Sequence, residues 1–161
     1  PSASSISLEF AKQALMRCAI QPHADGLHAL DALCRIPAAE QLTAADIMQI
    51  LRSAIEVKYG LEDADLNLVQ VFAQWLPAAR HLSAAHVAEL LDLAVKAGHK
   101  KNVVNLCRLL GARDIEQAVI TRILLATSTS EDPAVCQCFS ELFRLHCQLQ
   151  WHLLPPPPLG F

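Results

Sequence analysis

The chain has 161 residues, more than half of them apolar, few of them aromatic, and a formal net charge of −3. This length suits one domain with a core made mainly of Leu, Ile, Val and Ala. The slight negative charge is spread along the chain, which argues against a general phosphate-binding surface, because such surfaces need clustered Lys and Arg. Only five residues are glycine, so we expect an all-α domain.

The expected environment follows from the same composition. No apolar run reaches the roughly 18 residues of a membrane-spanning helix, and no leader opens the chain. We expect no membrane partner and an intracellular location, in the cytoplasm or nucleus. Six cysteines in so apolar a chain do not require disulfides, and Cys18, Cys34 and Cys107 fall in apolar helical patterns typical of reduced core thiols. The chain lacks an initiator Met and ends in a proline run, so we expect one domain of a larger protein.

The first two predicted helices form a hairpin. Ser7 is expected to cap a helix that runs through Cys18, and its expected buried face comprises Phe10, Ala14, Leu15 and Cys18. The second helix is predicted at residues 23–35, before Pro37, with an apolar stripe made of Leu27, Leu30, Leu33 and Cys34.

Residues 36–47 recur about 40 residues later as residues 76–87. Both copies start with an apolar residue, Pro and two alanines, and both contain a Thr or Ser that can cap a helix. Thr43 with Asp46 fits a capping box, and Ser83 opens the second copy. The helices that follow carry matching apolar stripes, namely Ile47, Ile50, Leu51, Ala54 and Ile55, then Val87, Leu90, Leu91, Ala94 and Val95.

Between these two helices we expect a fourth predicted helix. Gly60 is expected to end the helix before it, and acidic residues 61–65 favour the start of the next one. Pro77 then ends that helix, whose apolar side comprises Leu66, Val69, Phe72, Ala73 and Leu76. Gly98 is expected to end the helix opened by Ser83.

The pattern shortens after Gly98. A short apolar helix is expected to end at Gly111, and Asp114 with Gln117 is expected to cap a helix whose apolar face is Ile115, Val119, Ile120, Ile123 and Leu124. Residues 127–130 read as a polar linker, and Ser130 as the cap of one long final helix. That helix carries two apolar stripes, which predicts packing on two sides: Cys136, Phe139, Phe143 and Cys147, and Cys138, Leu142, Leu145 and Leu149.

These patterns predict about eight helices in antiparallel hairpins within one domain, residues 1–152. The units are residues 23–60 and 63–98 and two degenerate ones, residues 99–126 and 130–152, followed by a proline-rich tail at 153–161. Two helices in about 40 residues is similar to HEAT and armadillo arrays, and this resemblance implies a short right-handed α-solenoid. A compact helical bundle is the alternative.

Residue motifs for catalysis are not found. The chain has no Gly-rich phosphate loop, no Ser in an elbow motif and no His-Glu metal motif, so we expect neither an enzyme nor a cofactor. The strongest metal candidate combines Cys136 and Cys138 with His146, Cys147 and His152. On a helix Cys136 and Cys138 lie about 200° apart, so we predict no metal site.

A stack of helical hairpins is typical of adaptors that bind a peptide or helix of a partner protein. Trp75 is the preferred hot spot for partner binding. The alternative is that Trp75 fills the core between two hairpins. The other predicted partner-binding residues are Gln70, Gln74, Arg52, Glu56, Glu89, Asp92 and Lys96. We also predict a basic rim made of Lys100, Lys101 and Arg108, with Lys96 and Arg113 beside them. This rim would bind an acidic peptide or a phosphate chain. The alternative is a solvated helix end.

The tail is the most explicit interaction motif. Leu154, Pro155, Pro156, Pro157 and Pro158 favour a polyproline II rod and resemble ligands of the EVH1 class. Packing on its own domain or on a neighbouring molecule is the alternative. Two further functions stay open, namely single-stranded RNA binding by a helical repeat and homodimerisation through the apolar final helix. RNA binding is less expected, because equivalent repeat positions change sign, as from Glu40 to Arg80.

Overall fold

The computed structural model describes residues 6–20, 26–56 and 68–153, which form helices and turns and contain no strand. The predicted all-α class is confirmed. The helices are α1 (Leu8–Ile20), α2 (Gly26–Cys34), α3 (Ala44–Glu56), α4 (Leu68–Trp75), α5 (Pro77–Arg80), α6 (Ala84–Lys96), α7 (Lys100–Cys107), α8 (Gln117–Ser128), α9 (Pro133–Gln137) and α10 (Phe139–Leu153).

The long helices form two layers. One layer contains α1, α3, α6 and α8, and the other contains α2, α4, α7 and α10; in each layer a helix contacts the next one along the chain. Helix α1 also packs on α2, α6 on α7 and α8 on α10. This arrangement is compatible with a helical repeat. The core lies between the layers, and its largest fully buried side chains include Leu15, Leu30, Ile47, Ile50, Leu51, Phe72, Leu90, Leu91, Leu106 and Ile120.

Three similar corners lead from one layer to the other, and we name them corner 1 (residues 36–42), corner 2 (residues 76–82) and corner 3 (residues 109–115). Each starts with an extended apolar residue whose carbonyl accepts the N–H of a buried alanine three residues on. The donors are Ala39 at 3.0 Å, Ala79 at 3.1 Å and Ala112 at 3.0 Å. Corner 3 is a third copy of the repeat that the sequence reading missed, because Leu110 and Gly111 stand where the other copies have Pro and Ala.

Gly111 has a different role from the predicted one. Helix α7 already ends at Cys107, and Gly111 lies inside corner 3, where an added Cβ would come within 2.3 Å of the Leu82 carbonyl oxygen. Gly111 therefore lets corner 3 pack closely on corner 2. By contrast, the prediction for Gly98 is confirmed: it ends α6 with a φ of 71°, the left-handed conformation that glycine adopts without strain.

The helix caps follow the sequence in the first two copies and differ in the third. The Asp46 N–H donates to Thr43 Oγ1 at 3.3 Å while the Thr43 N–H donates to Asp46 Oδ2 at 3.0 Å, which confirms the capping box. The Ser83 hydroxyl accepts the His86 N–H at 3.3 Å. The prediction for Asp114 was wrong, since Glu116 occupies the cap position of α8 and makes no side-chain cap bond.

The buried face of α1 was predicted one position out of register. Its buried residues are Ala11, Leu15 and Ala19, whereas Phe10 is 57% exposed. Helix α3 packs on the flank of α1 that carries Lys12, which pairs with Asp46 at 2.9 Å. Phe10 lies two positions before Lys12, about 200° away around the helix, so the position of α1 in the stack decided its exposure.

The end of the chain also departs from the prediction. Helix α8 continues through Ser128, and the buried Thr127 hydroxyl donates to the Ile123 carbonyl at 2.7 Å, so residues 127–128 are not a linker. Asp132 rather than Ser130 caps α9, by accepting the Ala134 N–H at 2.9 Å. The predicted long helix is interrupted at Cys138, whose N–H donates to the Val135 carbonyl, three residues back, at 3.0 Å.

Only one of the two apolar stripes in α9 and α10 is buried within the described residues. Cys138, Leu142, Leu145 and Leu149 face the core, whereas Cys136, Phe139, Phe143 and Cys147 are exposed. The predicted packing on two sides was therefore wrong for the described part of the chain. The reason is that α10 is the last helix of its layer that the structure describes.

The predictions for Gly60, residues 61–65, Leu66 and the tail motif at residues 154–158 lie outside the described residues. All six cysteines are free thiols. Burial raises the pKa of the Cys34 thiol to about 12. In the described ranges, every helix is too short or too polar to cross a membrane.

Candidate functional site

A groove of about 510 Å³ opens between α7, corner 3 and α10, and we name it the arginine groove. Its apolar floor is formed by Leu145 and Leu149, which are 3% and 6% exposed. Three exposed arginines surround this floor. The lining residues are Cys107, Arg108, Arg113, Glu141, Arg144, Leu145, Gln148 and Leu149.

Local sequence places each of these side chains. Arg108 is the C-cap residue of α7, and Arg113 lies in the 3-10 turn of corner 3. On α10 the polar lining residues Glu141, Arg144 and Gln148 recur at helical spacing along one flank, beside the buried leucines. An amphipathic helix next to a tight corner therefore produces a groove with an apolar base and a charged rim.

The groove carries excess positive charge. Arg144 donates a hydrogen bond to Glu141, three residues earlier on α10. Within the described residues Arg108 and Arg113 form no ion pair. Two guanidinium groups are thus available to an anionic group, and the planar guanidinium fork matches a carboxylate with two parallel hydrogen bonds.

Cys107 lies in the wall of the groove. Burial raises the pKa of its thiol to about 12, and the nearby Glu141 carboxylate adds to the rise. The thiol therefore stays protonated near neutral pH, and a protonated thiol is a poor nucleophile and a poor metal ligand. Cys107 contributes shape to this site rather than reactivity.

The predicted basic rim is only partly assembled. Arg108 lines the groove, but Lys100 and Lys101 lie at the opposite end of α7, about 10 Å away along the helix axis. Arg113 joins Arg108, whereas Arg144 was missed by the sequence reading. No sequence pattern indicated Arg144, because it shares a groove with Arg108 only when α10 packs beside α7.

Most of the predicted partner-binding charges on α3 and α6 are paired with one another. Arg52 donates two hydrogen bonds to the Glu89 carboxylate, which joins α3 to α6. Lys96 pairs with Asp92 at 2.8 Å within α6. Glu56 is exposed. The hydrogen bonds from Arg52 lower the pKa of Glu89, so this pair stays ionised and connects two hairpins.

Trp75 is half-buried where α4 meets α2. Its indole N–H donates to Asp31 Oδ1 at 2.6 Å, and the Arg35 guanidinium lies 4.6 Å from the centre of its ring. Gln70 and Gln74 are exposed on the same helix. Trp75 connects two hairpins and keeps an exposed fraction, so its role as a hot spot stays a prediction.

The other flank of α10 carries a second feature, which we name the aromatic edge and define as Phe139, Phe143 and His146. The two phenylalanine rings stack with centroids 5.9 Å apart and planes inclined by 11°, and they are 38% and 50% exposed. The His146 ring lies 6.4 Å from that of Phe143. Helical spacing puts this edge on the flank of α10 opposite the one that lines the arginine groove.

A further concavity of about 390 Å³ lies between α1 and α3, lined by Glu9, Lys12, Gln13, Met16, Arg17 and Gln49. Its acidic and basic side chains are mixed, and Lys12 is already paired with Asp46. Among the described residues, no three His, Cys, Asp or Glu side chains are grouped as a metal site requires.

Comparison of the sequence with protein-family models, with curated proteins and with solved structures finds no match. The similarity to helical repeats therefore rests on the arrangement of the helices and on the three corners alone.

Proposed function

We propose that this domain is a non-enzymatic adaptor that binds a peptide or helix of a partner protein on its helical surface. The observation that carries the proposal is the arginine groove, where Arg108 and Arg113 flank an apolar floor. Protein ligands supply both kinds of contact at once, since a peptide presents apolar anchors and charged groups at fixed spacing.

The choice of this groove over the predicted surface on α3 and α6 rests on pairing. Arg52 already pairs with Glu89, and Lys96 with Asp92. A partner would have to break those ion pairs before forming its own. The two uncommitted arginines of the groove need no such exchange. Hot spots are enriched in arginine beside desolvated apolar surface, which is the combination found here.

A titration experiment tests the adaptor function. Fluorescein-labelled amphipathic peptides of acidic, neutral and basic composition, and a single-stranded RNA of about 20 nucleotides, are added to the domain, and fluorescence anisotropy is recorded. We expect at least one peptide class to bind with a Kd of about 1–100 μM and the RNA to stay free. Binding of the RNA alone would contradict the adaptor function and favour the alternative of a single-stranded RNA-binding repeat.

For the architecture, we propose that the stack is a short right-handed α-solenoid of the HEAT and armadillo kind. Support comes from helices that contact their successors within each layer and from corners that repeat in sequence and hydrogen bonding. We place the protein inside the cell, in the cytoplasm or nucleus. Its six free cysteines support this location, because secreted domains usually oxidise their cysteines.

The aromatic edge supports a second candidate function, homodimerisation. Phe139 and Phe143 form an exposed apolar surface on α10, and Leu125 on α8 is 62% exposed. Exposed apolar patches of this kind mark interaction surfaces. The test is size-exclusion chromatography with light scattering on the chain with and without the residues after His152, and on a Phe143→Glu variant. A dimer that becomes a monomer in Phe143→Glu would favour this candidate over the adaptor.

A further inference from the structure

We infer that the arginine groove recognises an acidic amphipathic segment of a partner protein, with carboxylates on Arg108 and Arg113 and an apolar side chain on Leu145 and Leu149. This inference rests on the proposed adaptor function and specifies the chemistry of the occupant. Three features of the groove support it, namely its charge, its floor and the position of Glu141.

The charge of the groove selects an acidic occupant. Of its four charged residues, three are arginines and one is Glu141. Arg144 and Glu141 neutralise each other, so Arg108 and Arg113 set the sign of the site. A basic segment would face repulsion from both and would find one carboxylate that is already paired. Complementary charge speeds association and excludes partners of the wrong sign.

The floor of the groove requires an apolar anchor. Leu145 and Leu149 are one turn apart on α10 and are nearly buried, and the Cys107 thiol beside them is protonated and uncharged. A polar group set directly on these leucines would lose water without gaining a hydrogen bond there, whereas carboxylates of the same segment reach the arginines at the rim. The occupant is therefore an acidic segment with an apolar side chain between its charges, rather than a chain charged at every unit such as nucleic acid.

Glu141 acts as an internal competitor for the partner's carboxylates. It accepts a hydrogen bond from Arg144 inside the groove, which leaves two of the three arginines for the partner. Removing its charge releases Arg144 and removes repulsion of the partner. Glu141→Gln is therefore expected to tighten binding of an acidic segment, a result that loss of a merely structural ion pair would not give.

The test uses three labelled peptides of about 12 residues that share leucines at helical spacing. The remaining positions are Glu and Ala in the acidic peptide, Gln and Ala in the neutral one, and Lys and Ala in the basic one. Anisotropy titrations are run with the whole chain at low salt and near 0.15 M salt. We expect the acidic peptide to bind at least about tenfold more tightly than the neutral one and to weaken as salt rises.

Charge reversal locates the site. The double variant Arg108→Glu with Arg113→Glu is expected to lose at least about tenfold in affinity for the acidic peptide and to gain affinity for the basic one. Its matched control is Arg17→Glu with Arg122→Glu, the same charge change at two exposed arginines of the other layer, for which we expect a change below about twofold. Circular dichroism melting shows that each variant is folded.

The single variant Glu141→Gln, with both arginines intact, is expected to raise the affinity for the acidic peptide by about two- to tenfold.

Amide hydrogen exchange gives an independent readout. The acidic peptide is expected to slow exchange in α10, which lines the groove, and to leave exchange in α1 unchanged. Preferred binding of the neutral or basic peptide would overturn the inference and leave the adaptor function standing. If none of the three peptides bound, both this inference and the adaptor function would be contradicted. If the control double variant lost as much affinity for the acidic peptide as the groove variant, the groove would not be the binding site.

Discussion

Single residues in this fold are constrained most where two corners meet. Gly111 has no room for a side chain, because a Cβ there would approach the Leu82 carbonyl and lie 3.1 Å from Val87 Cγ2. Ala38 and Ala78 occupy the same position in corners 1 and 2. The repeat therefore tolerates a methyl group in two corners and excludes it in the third.

We predict that Gly111→Ala destabilises the domain by about 1–3 kcal/mol, as overpacking against backbone does. The backbone at Gly111 is not in the left-handed region, so a steric clash is the only penalty. Urea unfolding monitored by circular dichroism measures the change. Ala38→Gly serves as the control and is expected to cost less than about 1 kcal/mol; a Gly111→Ala protein as stable as the wild type would refute the close approach.

Asp46 gives the domain a pH-dependent stabilising contact. The hydrogen bond from Lys12 and the bonds from Thr43 lower its pKa below the ordinary value of 3.8. A lowered pKa in the folded state stabilises the protein above the unfolded-state pKa, and this contribution is lost as pH falls through the folded-state value.

Asp46→Asn is accordingly predicted to lower the melting temperature by about 1–4 °C at pH 7, with the difference shrinking below about pH 4. Thermal melts of both proteins between pH 7 and pH 2 measure this. Equal differences at both pH values would mean that the carboxylate charge plays no part.

Whole helices are joined into neighbouring pairs by a few specific polar contacts. Between α3 and α6 the contact is Arg52 with Glu89, and between α2 and α4 it is Asp31 with Trp75. These side chains are partly exposed, so their contacts fix the alignment of helices whose packing the apolar core already drives.

A double-mutant cycle on Arg52→Ala and Glu89→Ala tests the contact between α3 and α6. We predict that the double variant is less destabilised than the sum of the single variants, because each single change already removes the pair. The coupling should fall by more than about half in 1 M salt, where the Debye length is about 3 Å. Additive effects would show that the two side chains act independently and are free for a partner.

At the scale of the molecule, contacts between neighbouring helices predict stability that varies along the stack. Each long helix packs on its neighbours in the layer, and α1, α6 and α8 also pack on their hairpin partners α2, α7 and α10. In such a stack, stability is close to a sum over units and their interfaces. A compact bundle, the alternative considered from sequence, would instead respond as one unit.

We predict that Leu142→Ala, at a fully buried site in α10, costs about 2–5 kcal/mol and raises amide hydrogen exchange mainly in α8 and α10. Leu15→Ala in α1 is the matched variant, also fully buried, and should raise exchange mainly in α1 to α3. Hydrogen exchange with mass spectrometry resolves these regions. A uniform rise in both variants would favour the bundle.

The sequence by itself determined the long helices up to α8, most of their buried faces and the first two corners. Local signals suffice for these features: apolar periodicity, Pro37, Pro77 and Gly98 after the end of a helix, and the Thr43 and Ser83 caps all act within a few residues. Corner 3 was not recognised because Leu110 and Gly111 replace the proline and alanine that marked the other two, while its backbone hydrogen bonds are the same.

Only the tertiary structure decided which apolar faces are covered and which charged residues meet. Phe10 and Phe143 have helical spacing as good as that of the core residues, yet they lie on flanks that no described helix covers. The arginine groove combines side chains from α7, corner 3 and α10, so its residues are separated in the chain and meet only when α10 packs beside α7. Helical periodicity records which residues share a face, but the helix that packs against that face is set by the order of the stack.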